Sequence, residues 1–193
     1  MKKQNGVYVE FGSLDGLFMS NTAFFAFNYN WTGVLVEPDE RYYGKLKTNR
    51  PEAKVYTGVV VCPKGQKTVD FAVSKIPGWS GILSQYMLPR WREKVINVTK
   101  SFKCVDLNKI CPNVVDLVAM DTEGSELSIL KTFDFKSHTV EYFQIEVNLH
   151  TPEGRMNDKQ ITSLMSDKGY VRIKQLHVGG MTYDNIYRRK NLY

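Results

Sequence analysis

The sequence predicts an α/β fold built on a mostly parallel sheet that closes in a C-terminal antiparallel hairpin. Three observations carry that expectation. The run Val7-Tyr8-Val9-Glu10-Phe11 reads as a short buried strand that breaks into a glycine turn, Gly12-Ser13-Leu14-Asp15-Gly16. A second apolar run, Gly33-Val34-Leu35-Val36, ends in Glu37-Pro38, with the acid 25 residues after Gly12. A third, Val114-Val115-Asp116-Leu117-Val118-Ala119-Met120, delivers Asp121-Thr122-Glu123-Gly124-Ser125-Glu126. Strand, glycine turn, helix, strand and terminal acid make the nucleotide-binding half of such a sheet. Its glycines let backbone approach a ligand, and its acid can accept hydrogen bonds from ribose hydroxyls.

The elements follow in order. A helix is expected from about Ser20 to Asn28, with Ser20 or Asn21 offering a side-chain oxygen to its unpaired amides. Asp39 is placed to cap a helix through Tyr43 and Leu46 to Asn49, and Arg50-Pro51 stops it, because the residue before proline avoids helical geometry. Lys54 to Val61 reads as a third strand, rich in β-branched residues. Pro63-Lys64-Gly65-Gln66 then turns the chain into another strand at Thr68 to Ser74, an antiparallel excursion. From Lys75 to Lys94 aromatics, glycines and prolines occur without periodicity, which suggests a lid or substrate loop at 75–94.

A strand near Val95 to Phe102 and a short helix near Leu107 to Ile110 lead into the central apolar strand. The helix after it should bury Leu127, Leu130 and Phe133 and turn Lys131 to solvent. Val140 to Val147 is a further strand of the main sheet, followed by Asn148-Leu149-His150. Asn157 to Lys168 carries Ile161, Leu164 and Met165 at helical spacing, and Gly169 ends it. Tyr170 to Val178 and Met181 to Arg188, parted by Gly179-Gly180, form the closing hairpin.

With 193 residues and 42% apolar content the chain can bury one full core, so a single domain over 1–193 is expected. No run approaches the roughly 18 consecutive apolar residues of a membrane span. Met1 to Gly6 leads straight into the first strand with no apolar region of its own, so no signal peptide is expected. Cys62, Cys104 and Cys111 are odd in number and widely spaced; they form no zinc or redox pattern and point to a reducing compartment. On that ground the sequons at Asn30 and Asn97 read as chance matches, and the expected location is cytoplasmic. A net charge of +6 and a pI near 9.1 favour anionic partners, such as nucleic acid, phosphorylated glycans or a membrane surface. The basic residues are scattered, and the tightest clusters are Arg90-Trp91-Arg92 and Arg188-Arg189-Lys190.

The charges in the glycine turn bear on the ligand. A dinucleotide site uses G-x-G-x-x-G with amides aimed at a diphosphate. Here the spacing is Gly12-x-x-x-Gly16, and Glu10 and Asp15 would repel a diphosphate in a partly desolvated cleft. A ligand with an ammonium and a sulfonium but no phosphate suits these acids, and S-adenosylmethionine is such a ligand. A plain strand-to-helix turn with a surface acid would look similar. The distinguishing feature is the rim: Gly12, Glu37, Asp121 and Glu146 all fall at predicted strand ends, where open α/β sheets bind ligands. Glu126 has a second reading, as a carboxylate favoured at a helix N-terminus.

These motifs resemble the FkbM-type methyltransferases, a branch of the class I S-adenosylmethionine-dependent enzymes. The resemblance rests on Tyr8 to Gly16, Trp31 to Pro38, Asn49-Arg50-Pro51, Val115 to Glu126 and Tyr183-Asp184-Asn185-Ile186-Tyr187, nearly the whole chain. It implies a Rossmann-like sheet and O-methylation of a hydroxyl, often on a sugar or secondary metabolite. By the same analogy Glu10 and Gly12 line the methionine end of the cofactor, within a binding loop of Ser13, Asp15 and Gly16. Glu37, followed by Pro38, holds the ribose, and Asp121 and Glu123 face the methyl-transfer centre. Glu10 replaces a frequent aspartate, and no helix precedes the first strand to cover the cofactor, so the substrate side is expected to be open or completed by a partner chain.

A hydroxyl nucleophile must lose its proton. Asp121 or Glu146 is the expected base; alternatively Asp121, Glu123 and Glu146 hold a divalent cation such as magnesium that lowers the hydroxyl pKa. His150 is a competing base, because its ordinary pKa lies near neutrality. The acceptor is expected to be a saccharide, glycan or related small molecule, anionic partners being favoured by charge. An RNA ribose or cap methyltransferase is the rival enzyme, weakened because no lysine falls at a matching strand end. A non-catalytic S-adenosylmethionine-binding module and a nicotinamide-dependent dehydrogenase are the further alternatives. Intact rim acids speak against the first, and the missing third glycine against the second.

Overall fold

The computed structural model describes residues 3–83, 96–180 and 182–190. Its main sheet is formed by β1 (Val7–Phe11), β2 (Thr32–Glu37), β3 (Ala53–Thr57), β8 (Val114–Met120), β9 (Thr139–Asn148), β10 (Tyr170–Gly179) and β11 (Thr182–Arg189). These lie in the order β10-β11-β9-β8-β1-β2-β3. The five strands from β3 to β9 run parallel, and β11 is antiparallel to both β9 and β10. This is the expected sheet, with the strand order reversing direction between β1 and β8.

Helices cover the two faces. On one side, α1 (Ala23–Tyr29) and α2 (Tyr43–Asn49) lie over a cluster of Tyr8, Trp31, Leu35, Leu46 and Leu117. Trp31 is fully buried, stacked on Phe25 at 4.7 Å between ring centroids, and its indole N–H donates to the Lys3 carbonyl at 2.8 Å. On the other side, α3 (Leu107–Ile110), α4 (Glu126–Thr132) and α5 (Pro152–Asp167) pack on Val118, Met120, Phe143, Ile145 and Val147. In α4 the buried face is Leu127, Ile129 and Leu130, with Phe133 just beyond it and Lys131 exposed.

Three local boundaries differ from expectation. Ser20 does offer its hydroxyl to the amides of Thr22 and Ala23, but regular helix begins only at Ala23. Asp39 caps a short 3-10 turn, Glu40–Tyr42, that leads into α2. Helix α5 begins five residues before Asn157, at Pro152, where Thr151 accepts from the Gly154 amide at 2.9 Å. Proline in the first helical turn after a threonine cap is the local signal that the periodicity overlooked.

The larger difference is a second sheet. The run from Lys54 to Val61 does not form one strand: Gly58, at φ +71, breaks it, and β4 (Val59–Cys62) leaves the main sheet. It joins β5 (Thr68–Ser74), β6 (Gly81–Ile82) and β7 (Ile96–Asp106) in the order β4-β7-β5-β6, around Val60, Val69, Phe71, Val73 and Ile82. Cys62 and Cys104, on neighbouring strands of this sheet, form a disulfide, and Cys111 is buried and free. The pairing removes the ground, three cysteines odd in number and widely spaced, on which a reducing compartment was inferred. No helix among the described residues is long and apolar enough to cross a membrane. Residues 84–94 of the expected lid lie outside the described residues.

Candidate active site

The carboxyl ends of β1, β2, β8 and β9 open into a cleft whose far wall is the second sheet. It is lined from the main sheet by Gly12, Glu37, Pro38, Asp121, Glu123 and Glu146, and across from them by Val60, Phe71, Trp79 and Ile82. Counting the open solvent at its mouth, the empty space in the cleft is about 940 Å³.

Gly12 stands at the reversal of strand order. Its φ is +76, and a Cβ there would meet the Asp121 carbonyl oxygen at 2.5 Å. The turn therefore passes directly over the end of β8, which a side chain would prevent. Gly12→Ala is expected to lower stability by about 2 kcal/mol from the left-handed conformation alone, more with the clash, as read from urea unfolding.

Glu37 ties this turn to β2. One carboxylate oxygen accepts from the Leu14 amide at 2.8 Å and the other from the Asp39 amide at 2.7 Å. Two further lone pairs remain for a ligand in the cleft that it lines. Burial pushes its pKa up to about 7, against the pull of the two amides, and the nearby Asp39 carboxylate adds to the rise. Asp39 itself is held by the Arg41 guanidinium at 2.5 Å.

At the end of β8 the acids crowd. Oxygens of Asp121, Glu123 and Glu146 lie within 4.8 Å of one another. The Asp121 pKa is raised well above the usual carboxylate range, first by burial, then by the hydrogen bond and charge of Glu146 and the charges of Glu123 and Glu126. Glu123 is raised in the same way by burial and by Glu146 and Glu126. Asp121 Oδ1 is shut off from solvent without a hydrogen-bond partner among the described residues. Glu123 holds φ 55, the left-handed region, so this carboxylate reaches the cluster through a strained turn. Glu126 supports that turn, accepting from the Thr122 amide and hydroxyl at 2.9 Å and the Gly124 amide at 3.2 Å. It also opens α4, so both readings of Glu126 as a helix-start carboxylate and as part of the acidic motif describe one residue.

Other expected site residues stand outside the cleft lining. Glu10 is buried beneath the turn, its oxygens taken by the Ser20 and Thr22 hydroxyls and the Asn21 amide at 2.5–3.0 Å. Ser13 is buried, its hydroxyl on the carbonyls of Glu10 and Val36. Asp15 caps the next bend through the amides of Leu17 and Phe18. Gly16 packs on Arg50, whose Cγ would lie 2.5 Å from a Cβ there. His150 is exposed beyond the end of β9, near Gly180 of the hairpin turn. The first four shape the loop rather than face the cleft.

Two contributors were not legible in advance. Arg50, read in the sequence as a helix stop and as part of the Asn49-Arg50-Pro51 motif but given no role in the site, is wholly buried and binds the Gly16 carbonyl, Ser20, Thr22 and Glu52 at 2.7–3.1 Å, 3.9 Å from Glu10. The second-sheet wall was the other. Its apolar residues carry no motif, and only the aromatic Trp79 hinted at it.

The methyltransferase FkbM domain matches residues 7–172. A search of curated proteins returns no match. Among solved structures, the chain is similar to TrmK of M. capricolum in complex with S-adenosyl-homocysteine, at TM-score 0.52 and 13% identity, over 100% of this chain and 66% of that one. It is also similar to fibrillarin of Aeropyrum pernix with natively bound S-adenosyl-L-methionine, at TM-score 0.53 and 13% identity, over 96% of this chain and 67% of that one. At such identities the likeness carries the fold alone, that of the class I S-adenosylmethionine-dependent methyltransferases. Because the domain match spans most of its length, the chain belongs to the FkbM family of methyltransferases.

Proposed function

We propose that residues 1–193 act as one S-adenosylmethionine-dependent O-methyltransferase domain on a hydroxyl of a saccharide, glycan or related small molecule. One observation supports this most. The described lining of the cleft carries five carboxylates, Glu37, Asp39, Asp121, Glu123 and Glu146, and no cationic side chain, in a chain of net charge +6. Such a lining disfavours a diphosphate and suits a cationic ligand. When bound, S-adenosylmethionine supplies a methyl group made electrophilic by its sulfonium.

The residues divide the remaining work. Glu37 accepts from ribose hydroxyls with its free lone pairs, and Gly12 leaves room for the ligand beside β8. Asp121, whose pKa is raised by burial and its acidic neighbours, is suited to take the acceptor hydroxyl's proton as methyl moves to oxygen. Glu146, in contact with it, is the second candidate for that proton. The oxygen–carbon bond forms as the carbon–sulfur bond breaks, and the electron pair stays on sulfur. Holding the reactants in line contributes up to roughly 7–11 kcal/mol to such a step.

The cluster of Asp121, Glu123 and Glu146 also fits a hard divalent cation such as magnesium. All three donors are oxygens, they converge within 4.8 Å, and Asp121 Oδ1 is buried without a partner among the described residues. Bound there, the ion would supply a lower hydroxyl pKa.

Glu37→Ala is expected to weaken S-adenosylhomocysteine binding by one to two decades in calorimetry, since charge-assisted hydrogen bonds contribute roughly 1.5–3 kcal/mol. Affinity equal to the parent's would remove Glu37 from the site. The function itself is tested by labelled-methyl transfer to saccharides, lipid-linked glycans and short RNAs, with and without magnesium. Transfer to sugars supports the reading, transfer confined to RNA replaces the acceptor, and uptake of a nicotinamide dinucleotide in place of S-adenosylhomocysteine overturns it.

A further inference from the structure

The loop that overhangs the cleft is held from two sides. Between β1 and α1 the chain has no regular structure, and Met19 lines the cleft from it. Its tip is apolar and open to solvent, with Leu17, Phe18 and Met19 exposed by 47, 56 and 68%. Leu14 and Met19 both take positive φ. Burial of the tip therefore does not fix it. Polar contacts do. At the root, Glu10 and Arg50 bind Gly16, Ser20, Asn21 and Thr22 as described above.

On the far side, the Asn21 Oδ1 accepts from Gln144 Nε2 at 2.5 Å. The same nitrogen donates to Asp184 Oδ2 at 2.8 Å. A primary amide nitrogen has two protons. Both are committed here, so the Gln144 side chain cannot turn without losing a partner. Asp184, 9% exposed, sits directly across from Glu146 in the β11–β9 register, and Gln144 precedes Glu146 by two residues on the same face of β9.

We propose that Gln144 is a positioning residue, oriented by Asp184, that clasps Asn21 and so sets the glycine loop over the donor end of the cleft. This rests on the reading of that cleft as the S-adenosylmethionine site. Asp184, in the closing Tyr183 to Tyr187 motif, then anchors the clasp from the strand beside Glu146.

Calorimetry with S-adenosylhomocysteine tests it. Gln144→Leu keeps the volume and removes both donors, and is expected to raise Kd about tenfold, the worth of one good hydrogen bond; the urea midpoint should fall as well, because the buried Asp184 carboxylate loses a donor. Asn21→Ala, on the loop itself, is expected to raise Kd by a similar factor. The double variant should bind no worse than the weaker single, because both substitutions break one contact. Singles with the parent's affinity, or losses that multiply in the double, overturn the clasp while leaving the cleft assignment standing. A parent chain that takes up no S-adenosylhomocysteine overturns the cleft assignment, and the clasp with it.

Discussion

Asp121→Asn is expected to abolish methyl transfer while S-adenosylhomocysteine still binds. The amide has the shape of the carboxyl group but cannot take a proton, and it is a poorer ligand for a hard cation. Loss of a positioned base costs a factor of about 10²–10⁴ in rate. The same change should leave the apo protein as stable as before or more so. It removes one of three carboxylates crowded within 4.8 Å, the one whose Oδ1 has no partner among the described residues. Two readouts check this: single-turnover transfer of a labelled methyl group, and urea unfolding without ligand. Parent-like turnover would sink the assignment of Asp121, whatever the stability.

The apo protein is expected to lose several kcal/mol of stability between pH 5 and pH 8. A buried acid whose pKa is higher folded than unfolded binds its proton more tightly in the native state. Its contribution is whole below the unfolded pKa and is lost as pH rises through the folded one. Glu37 moves from 4.5 to about 7, chiefly by burial, which alone corresponds to on the order of 3 kcal/mol. Asp184 moves from 3.8 to about 6, through burial and then the charge of Glu146. Glu10 and Glu126 are raised too, mainly by burial. Glu52, where hydrogen bonds from Arg50 and Tyr8 outweigh burial, is lowered and acts in the opposite sense, but its window lies below 4.5. Urea unfolding at the two pH values measures the difference directly. Equal stability, or more at pH 8, would mean that these carboxylates are far better solvated than the structure places them.

The rim was legible because it follows from topology. A strand that ends in glycine or acid and continues into a helix delivers that residue to the carboxyl edge of a parallel sheet, wherever its neighbours are. Gly12, Glu37, Asp121 and Glu146 were therefore readable from local pattern, and the structure brings them to one cleft. Glu10, Ser13, Asp15 and Gly16 share the motif but not the location, because a tight loop needs as many residues to hold its shape as to touch a ligand. Motif spacing does not separate the two roles. The second sheet was not legible for another reason. Lys54 to Val61 is rich in β-branched residues on both sides of Gly58; the glycine marks a break, but only pairing with the distant β7 tells Val59 to join another sheet. The Cys62–Cys104 bond depends on that pairing. Arg50 shows the same limit: nothing local distinguishes a buried arginine at the hub of a loop from a surface one.

The excursion from Val59 to Asp106 has a lasting consequence for how such a protein can diverge. Because β3 is the last strand of the main order, the detour interrupts no pairing among β1, β2, β8 and β9. The acids come from the ends of β2, β8 and β9, on either side of the detour in sequence, and the opposite apolar wall comes from the detour itself, with its own small core and its own covalent cross-link. Substitutions can accumulate in the detour and reshape what the opening admits, while the machinery beneath it is inherited intact.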